Sequence, residues 1–152
     1  MAANENIGQS NVSSLQNFYG SRVTATADVQ FNMMGDTLFC MDNITGKEKW
    51  KYAVSGNLKQ EGGYLATAPI VAGKYIITGT LQGEIILMNQ LTGSAEKKYY
   101  VNEPIRSQPI AMNGWIYVTT TAGNLCAINT FDVTISGWPM LGADNKHSNK
   151  IL

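Results

Sequence analysis

Cys40-Met41-Asp42-Asn43-Ile44-Thr45-Gly46-Lys47-Glu48-Lys49-Trp50 is the stretch that decides the fold. A strand-like run over residues 36–41 leads into it, Thr45-Gly46 supplies a turn, and a charged strand then resumes and ends on Trp50. An Asp just ahead of a Thr-Gly pair is turn chemistry, because its carboxylate accepts from nearby backbone amides while Gly takes the left-handed conformation. The phrase recurs. Thr45-Gly46 returns 47 residues later as Thr92-Gly93, with Met41 falling on Met88, Asp42 on Asn89 and Ile44 on Leu91. A further copy lies 40 residues beyond, with Pro69-Ile70 on Pro109-Ile110, Ile76 on Ile116, Thr80 on Thr120, Gly83 on Gly123 and Asn89 on Asn129. Self-similarity at about 40–50 residues marks stacked repeats, either propeller blades or solenoid coils.

Period-two runs separated by turn residues dominate, and helix signals are scarce. The second repeat predicts strands over residues 67–71, 74–79, 84–89 and 95–101, an antiparallel four-stranded meander. The third predicts strands over 107–112, 115–120 and 124–129, with Asn113-Gly114 as a hairpin turn and a degenerate fourth strand. The first has candidates at 22–27, 28–33 and 37–41, then 48–54. Gly46 to Pro69 spans 23 residues but Gly93 to Pro109 only 16, so an insertion of seven falls in the loop around residues 55–64. The near-continuous apolar run in Glu84-Ile85-Ile86-Leu87-Met88 fits a sheet covered on both faces, as stacked blades are.

The phrase at 40–50 resembles the tryptophan-docking repeat of the PQQ-like β-propellers, the quinoprotein family, which reads small-x-Asp-x-x-x-Gly-x-x-x-Trp. The resemblance covers roughly residues 22–149. It implies an all-β fold of about three blades, near 22–54, 64–101 and 105–149, forming part of a longer propeller or a ring completed by association. Residues 1–21 form a polar N-terminal segment or an extra edge strand. The same resemblance makes Asp42, Thr45, Gly46, Trp50, Asn89, Thr92, Gly93, Asn129 and Trp138 structural docking residues, with Trp50 packing toward the second blade near Gly93. Lys97 occupies the tryptophan place of the second copy, and Trp138 falls one residue late in the third. The stretch from Ser136 through Gly137-Trp138-Pro139-Met140 to His147-Ser148 resembles an element that borders such propellers.

Composition narrows the function classes. Eleven basic and eleven acidic residues give no electrostatic case for nucleic acid or an anionic membrane surface. No apolar stretch approaches the roughly 18 residues a membrane-spanning helix needs, and the first residues carry no signal-peptide pattern. Cys40 aligns with Leu87 and Ala127, which puts Cys126 out of phase on the opposite strand face, so both are read as buried, unpaired thiols. The methionines are dispersed and read as core filling, and His147, the one histidine, as exposed or bonded to a turn.

A quinone-dependent dehydrogenase would need, by family resemblance, a stacking aromatic, a calcium site of Asp, Asn and Glu oxygens, a catalytic carboxylate and often adjacent cysteines. The sequence offers no Cys-Cys pair, and its acidic residues are scattered singly. No catalytic, cofactor or metal residues are assigned. The reading is a non-catalytic scaffold for a protein partner. The alternatives are a quinoprotein dehydrogenase fragment binding pyrroloquinoline quinone and calcium, and an extracellular ligand- or glycan-binding propeller. Loops between blades are the candidate interaction surface: Lys59, Glu61 and Tyr64 in one, Asn102, Glu103 and Arg106 in the next. A periplasmic or extracellular setting is implied by the resemblance alone.

Overall fold

A computed structural model describes residues 22–61, 63–144 and 146–151. The segment 1–21, read above as a polar segment or edge strand, lies outside the described residues. The first sheet is the antiparallel meander β1 (Thr24–Ala25), β2 (Val29–Met34), β3 (Thr37–Asp42) and β4 (Glu48–Ala53). The second is β5 (Ile70–Ala72), β6 (Tyr75–Gly79), β7 (Glu84–Asn89) and β8 (Ala95–Tyr100). The third keeps three strands, β9 (Ile110–Met112), β10 (Trp115–Thr119) and β11 (Leu125–Asn129). The chain is all-β, in propeller-type sheets that stack without closing a ring. The inserted loop contains one helical turn, α1 (Leu58–Glu61), started by the Asn57 side chain, which accepts from the Lys59 amide at 3.2 Å.

Register shows why the repeat is visible in sequence. Both complete sheets slip register at equivalent places, between Cys40 and Met41 and between Leu87 and Met88, directly before the Thr-Gly turn. Cys40 then faces Trp50 across the sheet as Leu87 faces Lys97. Side chains alternate between two apolar faces. Phe31, Met33, Leu38 and Cys40 of the first sheet face the second, which presents Ile86 and Met88 in return. Sandwiched between its neighbours, the second sheet buries every residue of β6. This is the physical origin of the continuous apolar run.

Buried polar bonds join the sheets at their first strands. The Pro69 carbonyl, just before β5, accepts from Thr24 Oγ1 at 2.6 Å and from Gln108 Nε2 at 3.2 Å, so one oxygen ties all three sheets together. Gln108 Oε1 in turn accepts from the Gly142 amide at 3.1 Å and faces Trp138 Nε1 at 3.4 Å.

The C-terminal residues form a strap across these strands. Trp138 and Ala111 of β9 exchange two backbone bonds, of 2.8 and 3.1 Å. The Gly73 amide donates to the Ser136 carbonyl, and Ala25 of β1 bonds Asn149 and Ile151 in a parallel bridge. The degenerate fourth strand of the third repeat is therefore replaced by a return path. After β11 the Thr130 amide donates to the Gly114 carbonyl and Phe131 takes a φ of 55°, which turns the chain away from the β11 edge.

Two expectations need correction. Trp138 is fully buried, but at the first-strand edge of its sheet rather than at a fourth-strand docking place. Cys126 is only half-buried, because β11 belongs to the end sheet, while Cys40 is buried with its thiol pushed up to about 11 by desolvation. Both thiols are free. Met33 and Met88 fill the core as expected, whereas Met34, Met112 and Met140 are exposed.

Candidate functional site

The Asp-x-x-Thr-Gly turn is held by its own side chains. Asp42 Oδ1 accepts from the amides of Ile44 at 3.0 Å and Thr45 at 2.8 Å and from the Thr45 hydroxyl at 3.0 Å. Gly46 closes the turn at a φ of 66° by donating to the Asp42 carbonyl. Asn89 repeats the arrangement with Leu91 and Thr92, and Gly93 has a φ of 72°. Asn129 Oδ1 receives the Phe131 amide at 2.9 Å in the third copy.

Trp50 lies in the joint between the first and second sheets. Its indole N–H donates to the Gln90 carbonyl at 2.9 Å, and its ring packs against Phe31 with centroids 5.7 Å apart. A Cβ on Gly93 would sit 2.5 Å from Trp50 Cε3, so only glycine leaves room for the ring. Lys97 takes the equivalent place between the second and third sheets. Its ammonium is 3.7 Å from Asp132, an ion pair that bridges a joint an indole fills elsewhere, and 5.6 Å from the ring centroid of Tyr75 in its own sheet. Part-exposed pairs of this kind contribute roughly 0.5–1 kcal/mol each, well below a buried aromatic.

The interblade loops divide. Arg106 donates to the Tyr64 hydroxyl at 2.7 Å and lies over its ring, fastening one loop to the other. Glu103 caps the β10–β11 turn by accepting from Thr120 Oγ1 and from Asn124 Nδ2 at 2.9 Å. Lys59 and Asn102 remain exposed, and Glu61 half-buried. Arg106, Ser107 and Thr119 to Thr121 line a polar groove of about 360 Å³. Gln108, the hub of the first strands, was not singled out in the sequence. Its signal is a departure from the repeat, Gln where the second copy has Ala68.

The third sheet ends the stack with an open face. Trp115, Tyr117, Leu125 and Ala127 point away from the second sheet, with Trp115 and Tyr117 stacked at 6.4 Å. Leu125 is 71% and Trp115 38% exposed.

The carboxylates serve the scaffold. Hydrogen bonds from Thr45 and Ile44, with help from Lys49, hold Asp42 down at about 2. Glu96 is lowered by Asn89 and Lys74, Glu103 by Thr120 and Asn124, Asp132 by Thr134, and Asp144 by Ser148. Among the described residues no three His, Cys, Asp or Glu side chains gather at one point. The donor set that calcium and a bound quinone would require does not fit these residues. His147 Nδ1 meets the Leu141 carbonyl at 2.6 Å and belongs to the strap.

A pH dependence follows. Folded-state carboxyl groups held below their ordinary range contribute stability above the unfolded value, near 3.9 for Asp, and lose it as pH falls through the folded value. Lys74, raised by Glu96 and Tyr75, contributes below its ordinary value and loses that contribution as pH rises through the folded one. The melting temperature is expected to be flat from about pH 5 to 9 and to fall between about pH 4 and 2. A circular-dichroism melting series checks this. A rise in melting temperature on acidification to pH 3 would contradict it.

Solved structures share the fold. BamB from Moraxella catarrhalis is 19% identical with a TM-score of 0.55, over 70% of this chain and 30% of that one. A europium-containing methanol dehydrogenase is 16% identical with a TM-score of 0.55, over 80% and 25%. The Cps50 (Swd1) β-propeller domain of Myceliophteria thermophila is 12% identical with a TM-score of 0.60, over 76% and 35%. This chain thus spans about a third or less of each of these structures. No curated protein sequence matches it. The profile of one family, described as outer membrane protein assembly factor BamB, matches residues 7–129, and with the docking phrase, its repeats and the stacked meanders already in place, the chain belongs to this PQQ-like propeller family.

Proposed function

We propose that the chain is a non-catalytic propeller module that holds a protein partner on the open face of its third sheet. The observation that carries this reading is that face: Trp115, Tyr117 and Leu125 lie exposed on a rigid sheet end. Exposed aromatic and aliphatic side chains on a fixed scaffold are the usual anchors of protein interfaces. The turn carboxylates, by contrast, are engaged by their own chain, which removes them as general acids or bases. Of the interblade loop residues, Lys59 and Asn102 are exposed for additional contact, while Tyr64, Glu103 and Arg106 hold the loops in shape. The family's description as an outer-membrane assembly factor supports an envelope setting and an assembly role. Among the described residues no helix is long and apolar enough to cross a membrane.

Titration with pyrroloquinoline quinone and calcium tests the reading. No saturable change in quinone absorbance or tryptophan fluorescence is expected. Saturable binding at one site per chain would replace the scaffold reading with the cofactor-dependent one.

A further inference from the structure

We propose that Asn113 is a site of spontaneous covalent modification, converted through a cyclic imide with Gly114 to aspartate and isoaspartate, and that the C-terminal strap sets the rate. Asn113-Gly114 is the only Asn-Gly pair in the sequence. It forms the two-residue turn between β9 and β10, where Met112 pairs with Trp115 and both turn residues have positive φ, 51° and 82°. Every other asparagine precedes a residue that carries a Cβ. A side chain at that place obstructs the approach of the backbone nitrogen to the asparagine Cγ, and glycine removes the obstruction. Asn113 is exposed, so water reaches its side chain.

Water is the one co-reactant. Loss of the Gly114 N–H proton makes that nitrogen a nucleophile, and it attacks Cγ of Asn113. The new N–Cγ bond forms, the Cγ–Nδ2 bond breaks, and the side-chain nitrogen leaves as ammonia. Water then opens the five-membered imide at either carbonyl. One direction leaves aspartate in the original backbone, and the other leaves isoaspartate, whose main chain carries one extra carbon.

The fold restrains this step at the reacting atoms. The Gly114 amide, which is the nucleophile, donates to the Ile135 carbonyl at 2.9 Å, and the Asn113 amide donates to Ser136 Oγ at 3.2 Å. The Gly114 carbonyl accepts from the Thr130 amide at 2.9 Å and from Thr130 Oγ1 at 2.7 Å. A nitrogen whose proton is held by a carbonyl neither ionises nor swings toward Cγ until that bond opens, so the reaction runs from the locally opened state. Ile135 and Ser136 lead directly into Trp138, which pairs with Ala111 of β9, so this opened state is one in which the strap has lifted. An extra main-chain carbon in a two-residue turn breaks the same bonds, so each isoaspartate formed loosens the strap permanently.

Peptide mapping of the folded chain in mildly alkaline buffer, beside the same chain in guanidinium chloride, tests this. The denatured chain is expected to convert at position 113 ahead of every other asparagine, and the native chain to convert there at least about tenfold more slowly. Ser136→Ala, which removes a single acceptor, should speed the native reaction about two- to tenfold. Trp138→Ala should bring it close to the denatured rate, while Trp50→Ala, far from the turn, should stay well below it. Equal native and denatured rates, product no more abundant at position 113 than at the other asparagines, or an unchanged rate in Ser136→Ala would each overturn the proposal. Should Trp138→Ala fail to fold, these three comparisons still decide it.

Discussion

Trp50→Ala is expected to cost about 3–5 kcal/mol of folding stability, the usual figure for deleting a large buried aromatic. Trp50 is 9% exposed, bonds Gln90 across the joint and is the largest side chain between the first and second sheets. Its removal leaves a cavity and an orphaned carbonyl. Trp50→Phe keeps most of the packing and should lose only the hydrogen bond, about 1 kcal/mol. Lys97→Ala, at the equivalent place in the next joint, should cost no more than about 1–2 kcal/mol, because it loses a part-exposed ion pair and a cation–π contact. Chemical denaturation of the three variants reads the difference directly. Equal losses for Trp50→Ala and Lys97→Ala would mean that the indole is not docked.

Trp138→Ala should be comparably damaging, again about 3–5 kcal/mol, but with a different signature. Trp138 is fully buried and anchors the strap on β9. Losing it should free residues 135–151 together, since the strap's contacts with Gly73 and Ala25 depend on its path past Ala111. Hydrogen exchange of the Ala25 and Ala111 amides, which donate to Asn149 and Trp138, is expected to accelerate in Trp138→Ala. In Trp50→Ala at matched global stability the Ala25 amide should stay better protected. If Ala25 keeps its full protection in Trp138→Ala, the strap does not behave as one unit. Gly73 bears on the same path, because a Cβ there would run into the Thr134 carbonyl.

The architecture was legible wherever local chemistry repeats. Asp42 with Thr45-Gly46, and Asn89 with Thr92-Gly93, specify the same turn by the same bonds. The register slips at Cys40/Met41 and Leu87/Met88 fall at equivalent places just before these turns. β7 was read at its observed bounds because Ile85 to Met88 are apolar on both faces. Features built from distant partners were not legible. Gln108 reaches Pro69 across 39 residues, and no local pattern announces such a bond. Trp138 was assigned by counting from the turn, yet Phe131 in a left-handed conformation had already diverted the chain. Its place in an interblade loop makes Glu103 a candidate contact residue, whereas its carboxylate closes the turn of the next sheet. In the inserted loop Asn57 is a recognisable helix cap, but the four residues of α1 are too few to give a period.

The central claim, that the phrase at residues 40–50 locks one blade onto the next, is tested most directly by a double-mutant cycle between Trp50→Ala and Gly93→Ala. In the parent, Gly93→Ala meets both the indole ring and the left-handed backbone, and should cost about 3 kcal/mol or more. Gly46→Ala, at a φ of 66° with open space around it, should show the backbone cost alone, about 1–2 kcal/mol. With Trp50 already removed, Gly93→Ala is predicted to fall to the Gly46→Ala value, a coupling of about 2 kcal/mol. Strict additivity of the two substitutions would contradict the docked joint.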